Sequence, residues 1–228
     1  MTQKHDLLMV IKSNVVKGKP SKESRYPRKM QGEPGVKEFV EKALNEGIEA
    51  SEILNTALIP GMDVVGEKFS NGEYFVPEML QSAQAMKAGV KVLEPHLTEE
   101  TSRKTGTVIL GTVKGDLHDI GKNLVSIMLE GAGFEVIDLG TDTAPRQFAS
   151  VAQEHPNAVI GMSALLTTTR EMMQKTIESM RERGIENKVI IGGAATSQTF
   201  ADEIQADAYT RDAAKASPLI KKLMGIPN

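Results

Sequence analysis

From residue 107 onward, short apolar segments alternate with amphipathic segments of helical period, and this alternation constrains the fold more than any other feature of the chain. It predicts five β-strands, each followed by a helical segment. The strands are expected near residues 107–111, 134–139, 157–162, 188–192 and 206–209. Such repeats form a parallel sheet with helices on both faces. We therefore predict a doubly wound α/β domain with strand order 2-1-3-4-5, whose ligand crevice lies between the first and third strands.

The part of the chain before this domain carries only helical periodicity. Apolar residues recur at helical spacing in four stretches, 4–16, 36–47, 51–69 and 77–95. Ser51 is the predicted cap of the third helix, which we expect to bend or restart at Pro60-Gly61. Four amphipathic helices in succession predict an antiparallel bundle. We place this bundle at residues 1–97, a polar linker at 98–104 and the α/β domain at 105–228.

The segment 18–35, between the first two predicted helices, is rich in Pro, Gly and positive charge, as is typical of an exposed loop. Between Lys17 and Lys29, six basic residues accompany a single acid, Glu23, together with Tyr26 and two prolines. Such a run is either a solvated loop without a role or a docking arm for a partner, since charge steers the encounter of two proteins. Both interpretations stay open on the sequence alone.

Composition and charge exclude several classes of protein. The chain has no Cys, which excludes disulfides, thiolate metal sites, iron–sulfur clusters and a cysteine nucleophile. A formal net charge of −3, spread evenly along the chain, does not indicate a nucleic-acid surface. No apolar run reaches the roughly 18 residues of a membrane span, and the start lacks an apolar region of signal-peptide type. We therefore expect a cytoplasmic protein that acts on neither nucleic acid nor membranes.

The loop after the first predicted strand, Gly115 to Gly121, contains the candidate metal ligand His118. This position is the carboxyl end of a strand, where open α/β sheets bind their ligands. Asp116, two residues earlier, is close enough in a tight loop to accept a hydrogen bond from one ring nitrogen, which leaves the other nitrogen free for a metal. A single loop histidine is also often only a polar surface residue, so this stretch alone leaves both interpretations open.

Two further loops are expected at the same edge of the sheet. The third strand runs into Ser163, Leu165 and Thr167, and the fourth runs into Gly192-Gly193. Glycines without a Cβ let a ligand lie against the backbone, and hydroxyls can bond to a polar ligand. Each pattern alone is common in packing and capping, but the combination with Asp-x-His-x-x-Gly, in this order, is much rarer by chance.

These three patterns resemble the corrinoid proteins of anaerobic methyltransferase systems and the cobalamin-binding region of methionine synthase. The likeness includes the helical part, where Leu58–Gly66 and Phe75–Glu78 resemble that family's cap domain. Tyr209–Ala214 is similar to the family's last loop, whereas the segment 18–35 departs from the family. The implied fold is therefore a four-helix-bundle cap followed by a flavodoxin-like, or Rossmann-like, cobalamin-binding domain.

The resemblance also implies a cofactor, cobalamin in its methylcobalamin or another corrinoid form, bound base-off and His-on. The implied cofactor-binding residues are Gly115, Asp116, Leu117, His118, Asp119, Ile120, Gly121, Ser163, Leu165, Thr167, Gly192, Gly193, Ala213, Phe75 and Met79. Among them, His118 would be the lower axial ligand of cobalt and Asp116 would set its basicity. Ser163 would bond to the buried benzimidazole and Thr167 to the edge of the corrin. Phe75, with Met79 as second choice, would shield the upper face.

The function that the resemblance implies is that of a methyl carrier rather than a catalyst by itself. A substrate-specific methyltransferase, which selects the methyl donor, would place a methyl group on Co(I). A second methyltransferase would remove it from methyl-Co(III) to a thiol coenzyme or tetrahydrofolate. A reductive activase is a further expected partner. Neither a nucleic acid nor a membrane is expected as a partner.

Three alternatives share parts of this pattern. The main one is the cobalamin-binding subunit of an adenosylcobalamin-dependent mutase, although a mutase needs a barrel over the cobalt instead of a four-helix cap. A light-sensing cobalamin regulator would need a DNA-binding module, for which the sequence offers no candidate. A flavodoxin-like module for phosphate or flavin would need a glycine-rich phosphate loop, which the loop after the first strand lacks.

Overall fold

Amphipathic periodicity in the first part of the chain produces helices alone. The computed structural model describes residues 2–97 and 105–226. Its first helices are α1 (Thr2–Val16), α2 (Val36–Asn45), α3 (Ala50–Ile53), α4 (Ile59–Ser70) and α5 (Val76–Leu93). A π-helical turn, Leu54–Leu58, joins α3 and α4 into one continuous helical segment. The five helices therefore form four helical segments, as predicted. Short 3₁₀ turns lie at Arg28–Met30 and Glu94–His96.

The third helical segment, from α3 to α4, differs from its prediction in two places. Its irregularity is the π-helical turn that ends at Leu58, just before Pro60 rather than at Pro60-Gly61. Proline has no N–H to donate to the preceding turn, so a change in the hydrogen-bond pattern upstream of Pro60 is its expected consequence. The predicted cap at Ser51 is wrong, because α3 already begins at Ala50 and Glu49 occupies the N-cap position.

The second part of the chain alternates strands and helices. The strands are β1 (Thr107–Thr112), β2 (Glu135–Asp138), β3 (Val159–Ser163), β4 (Val189–Gly192) and β5 (Ala208–Tyr209). The helices are α6 (Ile120–Gly131), α7 (Pro145–Glu154), α8 (Thr167–Arg181), α9 (Gln198–Glu203) and α10 (Ala213–Leu223). All strand pairs are parallel and the order is β2-β1-β3-β4-β5, which confirms the predicted architecture and strand order.

Alternating side chains of the central strands bury the two faces of the sheet against different helices. Val108 and Leu110 of β1 belong to a core with Leu129 of α6 and Ile220 of α10. Ile109, between them, belongs to a second core that contains residues of α7, α8 and α9. Burial on both faces explains the nearly continuous apolar character of β1.

The chain folds as two compact units, residues 1–103 and 104–228. The predicted linker, 98–104, lies outside the described residues. Within the part of the chain that the structure describes, no helix is long and apolar enough to cross a membrane.

Candidate functional site

Three loops of the α/β unit meet at one edge of the sheet because the strands before them end in register. Thr112, the last residue of β1, pairs with Ser163, the last residue of β3. Ser163 in turn pairs with Gly192, the last residue of β4. The loops that follow these strands therefore start side by side, at the point where the strand order reverses.

The carboxylate of Asp116 fastens the first of these loops. It is completely buried. Its Oδ1 accepts a hydrogen bond from the backbone N–H of His118 at 3.0 Å and lies 2.8 Å from Nδ1 of the same residue. Its Oδ2 accepts hydrogen bonds from the Leu165 N–H at 2.8 Å and the Thr169 hydroxyl at 2.7 Å. One buried side chain thus joins the loop after β1 to the loop and helix after β3.

The charge state of Asp116 follows from the balance between burial and hydrogen bonding. Burial alone would raise its pKa. The donors from His118, Thr169 and Leu165 outweigh burial, so the pKa of Asp116 lies well below its ordinary value. The carboxylate is therefore ionised at neutral pH and can only accept hydrogen bonds, which places a proton on the His118 Nδ1.

The ring of His118 is held from one side and open on the other. Its side chain is about half exposed. The hydroxyl of Thr112 donates to the His118 carbonyl at 3.0 Å and fixes the backbone of the residue as well. Among residues 2–97 and 105–226, Nδ1 has Asp116 as its partner, whereas Nε2 has no hydrogen bond. A neutral imidazole held in this way presents the Nε2 lone pair to a ligand.

A cleft of about 440 Å³ opens beside His118. Eight predicted site residues line it: Leu117, His118, Asp119, Ile120, Gly121, Ser163, Leu165 and Gly193. Three of them are exposed large aliphatic side chains, since Leu117 is 71%, Ile120 is 75% and Leu165 is 42% exposed. Exposed apolar side chains around a cleft with a few polar groups are typical of a surface that a ligand covers.

Gly193 is required by the protein backbone itself. Its φ is +112°, which L side chains rarely adopt, and a Cβ would lie 2.1 Å from the Ala164 carbonyl oxygen. At Gly192 a Cβ would lie 2.8 Å from the Thr210 carbonyl oxygen. The absence of side chains at Gly192 and Gly193 thus lets neighbouring loops approach. The sequence interpretation differed, because it assigned the space beside these glycines to a ligand.

Gly121 shows the opposite behaviour. A Cβ at this position would meet nothing within 4 Å. Gly121 also lies in the first turn of α6, is exposed and lines the cleft. Because glycine in a helix costs about 1 kcal/mol relative to alanine, the protein alone would favour a side chain here. A molecule bound in the cleft, occupying the volume that a side chain would fill, explains why position 121 is glycine.

The remaining predicted residues of the α/β unit lie outside the lining of this cleft. Gly115 forms the turn before Asp116, with φ +82°, and its N–H donates to the Asp142 carboxylate at 2.8 Å. Thr167 is exposed at the start of α8, and Ala213 begins α10. Gly192 ends β4.

The two predicted residues of the helical unit differ from each other. Phe75, the N-cap residue of α5, is 67% exposed. Met79, one turn later, is completely buried, so the structure does not present it as a surface residue. Val76 and Leu80 are the other partly exposed apolar residues near this end of the helix.

Three contributors were missed by the sequence interpretation. Thr169 bonds to Asp116, Thr112 bonds to the His118 carbonyl, and Arg211 lines the cleft. A signal for Thr169 existed in the run Thr167–Thr169, since only one of three consecutive helical residues can point toward the sheet. No pattern in the sequence marks Thr112, whereas Arg211 lies within Tyr209–Ala214, the stretch that resembles the family's last loop, although only Ala213 of that stretch was expected in the site.

The donor set of the site fits a metal that arrives with its own ligands. Among the described residues, no group of three or more His, Asp or Glu is placed to hold a metal ion. The single open nitrogen of His118 could supply one bond to such a metal, and the exposed apolar side chains of Leu117 and Ile120 could lie against a large ring. A corrin, which brings its own nitrogen ligands for cobalt, would meet both conditions.

Family models match both units of the chain. A model of a B12-binding domain matches residues 106–218, and a second B12-binding model matches residues 32–94. The second match begins inside the segment 18–35, so most of that segment precedes it.

Individual proteins match over most of the chain. Dimethylamine corrinoid protein 3 of Methanosarcina acetivorans is 44% identical over 191 residues, which cover 83% of this chain and 89% of that protein. A corrinoid protein of Desulfitobacterium hafniense is 41% identical over 195 residues, covering 83% and 90%. The crystal structure of a methanol:cobalamin methyltransferase complex from Methanosarcina barkeri matches with a TM-score of 0.80 and 27% identity, covering 96% of this chain and 80% of that one.

Proposed function

This chain belongs to the corrinoid proteins with B12-binding domains, and we propose that it binds cobalamin and carries a methyl group between two methyltransferases. The observation that carries the proposal is the fixed His118 ring, whose Nδ1 lies 2.8 Å from the buried Asp116 and whose Nε2 is open. When bound, the corrin-held cobalt supplies the chemistry of accepting and releasing the methyl group. The protein supplies ligation, burial and presentation.

His118 and Asp116 would act as one ligating unit. His118 would bind cobalt through Nε2 in place of the cofactor's own base, the base-off and His-on state. Asp116 keeps the proton on Nδ1 and makes the ring a stronger donor, because a carboxylate behind a ligating histidine raises its basicity. The hydrogen bonds from Leu165 and Thr169 keep this carboxylate charged and in place.

The cleft beside His118 would receive the rest of the cofactor. Leu117 and Ile120, both largely exposed, would lie against the lower face of the corrin. Ser163, half-buried in the lining, would bond to the displaced base, and the Gly193 backbone would border the nucleotide tail. Phe75 is the candidate shield of the upper face, since it is exposed and Met79 is not.

The partners follow from the carrier role. A substrate-specific methyltransferase would load the methyl group, and a second one would pass it to a thiol coenzyme or tetrahydrofolate. A reductive activase would restore the cobalt after accidental oxidation. The proposed place of action is the cytoplasm, and the chain by itself would turn over no substrate.

Electron paramagnetic resonance of the Co(II) form tests the ligand directly. The wild type, reconstituted with cobalamin, should show nitrogen superhyperfine splitting from His118. His118→Ala should bind the cofactor without this splitting and keep its circular dichroism spectrum. His96→Ala, an exposed histidine in the 3₁₀ turn after α5, is the matched control and should resemble the wild type. Unchanged splitting in His118→Ala would show that the ligand is another group.

Methyl transfer tests the carrier role separately. The reconstituted protein, reduced and mixed with a methyltransferase and its methylated substrate, should gain the absorption spectrum of methylcobalamin. Adding the second methyltransferase and its acceptor should reverse the change. A protein that ligates cobalt through His118 but is methylated by no methyltransferase would retain the cofactor proposal and overturn the carrier role.

A further inference from the structure

The segment 18–35 is a closed surface loop rather than a slack connection. Its base is formed by two backbone hydrogen bonds, from the Val36 N–H to the Lys19 carbonyl and from the Lys37 N–H to the Pro20 carbonyl, both at 2.9 Å. The two ends of the segment therefore lie side by side. Compact loops with adjacent ends and internal contacts are frequently functional.

Two side chains, those of Lys19 and Glu38, stabilise the loop through hydrogen bonds. Lys19 is completely buried, and its Nζ donates to the Ser24 carbonyl at 3.0 Å. The Glu38 carboxylate of α2 accepts hydrogen bonds from the Lys22 N–H at 3.1 Å and the Gly35 N–H at 2.7 Å. The burial of Lys19 corrects the sequence interpretation, which counted it among the surface charges. The loop is thus ordered by its own residues before any partner arrives.

The remaining basic side chains of the segment are exposed. They are Lys22, Arg25, Arg28 and Lys29, and Lys17 just before the segment is exposed as well. In the described part of the chain none of them forms an ion pair, whereas other exposed lysines do, such as Lys4 with Glu52 at 2.7 Å. The segment 18–35 also contains two exposed acids, Glu23 and Glu33, against four exposed basic residues. The exposed side chains of the loop therefore carry an excess of positive charge, whereas the whole chain has a net charge of −3.

This basic loop lies at the same end of the helical unit as Phe75. Tyr74, the residue before Phe75, donates its hydroxyl to the Val16 carbonyl at 3.0 Å, just before the loop begins. Burial raises the pKa of Tyr74, and the nearby Tyr26 of the loop raises it further. Gly18 packs against Gln81 of α5, since a Cβ there would lie 2.8 Å from the Gln81 Cβ.

Apolar and aromatic side chains accompany the charges at this end. Phe75, Val76 and Leu80 are exposed on α5, and Tyr26 is exposed on the loop. Protein interfaces typically combine an apolar centre with a polar rim and are enriched in Tyr, Phe and Arg. A solvated loop without a role would need neither the hydrogen bonds that order it nor the exposed apolar side chains beside it.

We propose that the segment 18–35 is a preformed docking element that recognises an acidic surface on the methyltransferase that loads this chain. The inference rests on the proposed function, in which that enzyme must bind this chain in order to methylate the cofactor. The loading enzyme is favoured over the second methyltransferase because it is the partner that differs with the methyl donor. Most of the loop precedes residues 32–94, the region matched by the second B12-binding model, and a segment outside the matched region suits a partner that differs with the methyl donor.

The test compares two triple variants with the same change in net charge. Arg25→Gln, Arg28→Gln and Lys29→Gln together neutralise the loop. Lys175→Gln, Arg183→Gln and Lys215→Gln together neutralise three exposed residues of the α/β unit and serve as the control. Both holo-proteins should keep the wild-type absorption spectrum and melting temperature. Association with the substrate-specific methyltransferase that methylates this chain is then measured by stopped flow as a function of salt.

The loop variant should associate about tenfold more slowly than the wild type at low salt, and the control should not. The difference should vanish near 1 M salt, where exposed charges are screened beyond about 3 Å. Equal rates and salt slopes for all three proteins, or no binding of the wild type to the methyltransferase, would overturn the docking role. Methylation assayed separately would decide the carrier role in either case.

Two other acidic partners are included as alternative outcomes. A short DNA duplex and vesicles containing phosphatidylserine are mixed with the same three proteins. Loop-dependent binding to either one, without loop-dependent binding to the methyltransferase, would overturn the proposal in favour of that partner. Loop dependence for the enzyme alone would support it.

Discussion

Two loops of this chain are each fastened by one carboxylate, and they differ in how deeply that carboxylate is buried. Asp116 is completely buried and receives donors from two separate loops and a helix. Glu38 is half-buried and receives two backbone N–H groups from the segment 18–35. The first arrangement leaves Nε2 of His118 open, and the second presents four exposed basic side chains, none of which forms an ion pair within the described part of the chain.

The difference in burial sets how much each loop depends on its carboxylate. A buried acceptor that loses a partner leaves the donors without water, which costs about 1–3 kcal/mol for each unsatisfied group. A half-exposed acceptor can be replaced by solvent at a smaller cost. A ring that must bind cobalt in one orientation needs the first arrangement. A loop that only presents charge can use the second.

The largest effect is expected at Gly193, where the loop after β4 packs against the loop after β3. Gly193→Ala should lower the free energy of unfolding by at least about 1–3 kcal/mol, because φ is positive and the Cβ meets the Ala164 carbonyl. Gly121→Ala, where the Cβ meets no protein atom, should preserve or raise stability and yet impair cobalamin loading. Urea unfolding and absorption spectra measure both quantities. Normal loading of Gly121→Ala would remove the argument that the cofactor requires this glycine.

Asp116→Asn should be the next most harmful change. An amide offers one acceptor oxygen instead of two, so some donors from His118, Leu165 or Thr169 lose their partner, at a cost of about 1–3 kcal/mol. The His–cobalt bond should weaken as well, since changes behind a metal ligand typically cost about 10- to 100-fold in affinity. Urea unfolding and Co(II) resonance spectra measure the two effects.

Asp202→Asn is the control for this change, since Asp202 is an exposed residue of α9 that does not line the cleft. Its carboxylate accepts a hydrogen bond from the Gln198 side chain at 2.8 Å. It should leave histidine ligation unchanged. Equal effects of the two variants would reduce Asp116 to an ordinary loop residue.

Thr169→Val should have a smaller effect of the same kind. It removes one donor from Asp116 and keeps the shape of the side chain, so a loss of about 1 kcal/mol is expected. The exposed neighbour Thr168 provides the control, Thr168→Val, which should change stability by less than about 0.5 kcal/mol. If both variants unfold at the same urea concentration as the wild type, the hydroxyl of Thr169 does not support Asp116.

The fold was predictable from the sequence because its signals are local. Each strand is a short apolar run, and right-handed parallel connections leave few possible strand orders. The Asp116–His118 pair was predictable for the same reason, since a single residue, Leu117, separates its members. The loop 18–35 was recognisable by its composition, although its internal contacts were not.

The rest depends on contacts between residues far apart in the chain. Thr169 meets Asp116 across 53 residues, and the need for Gly193 comes from the backbone of Ala164. Lys19 reads as a surface charge in sequence, and only the chain path around it explains its burial. Such contacts follow from how elements pack, which local patterns do not encode.

The smallest expected effect concerns the second carboxylate. Glu38→Gln keeps one acceptor oxygen for the Gly35 and Lys22 N–H groups but removes the charge that strengthens these bonds. We expect a loss of about 0.5–1 kcal/mol, confined to the loop, so that its open form becomes roughly two- to fivefold more populated. Trypsin cleavage after Arg25, Arg28 and Lys29 should accelerate by the same factor, while cobalamin loading and histidine ligation stay unchanged. Glu41→Gln, an exposed position on the same helix, should leave the cleavage rate at its wild-type value. If Glu38→Gln also left the cleavage rate unchanged, Lys19 and the backbone hydrogen bonds at the base would be sufficient to hold the loop. If the variant were cleaved as fast as the unfolded protein, Glu38 would stabilise the whole helical unit. The contrast with Asp116 would then disappear.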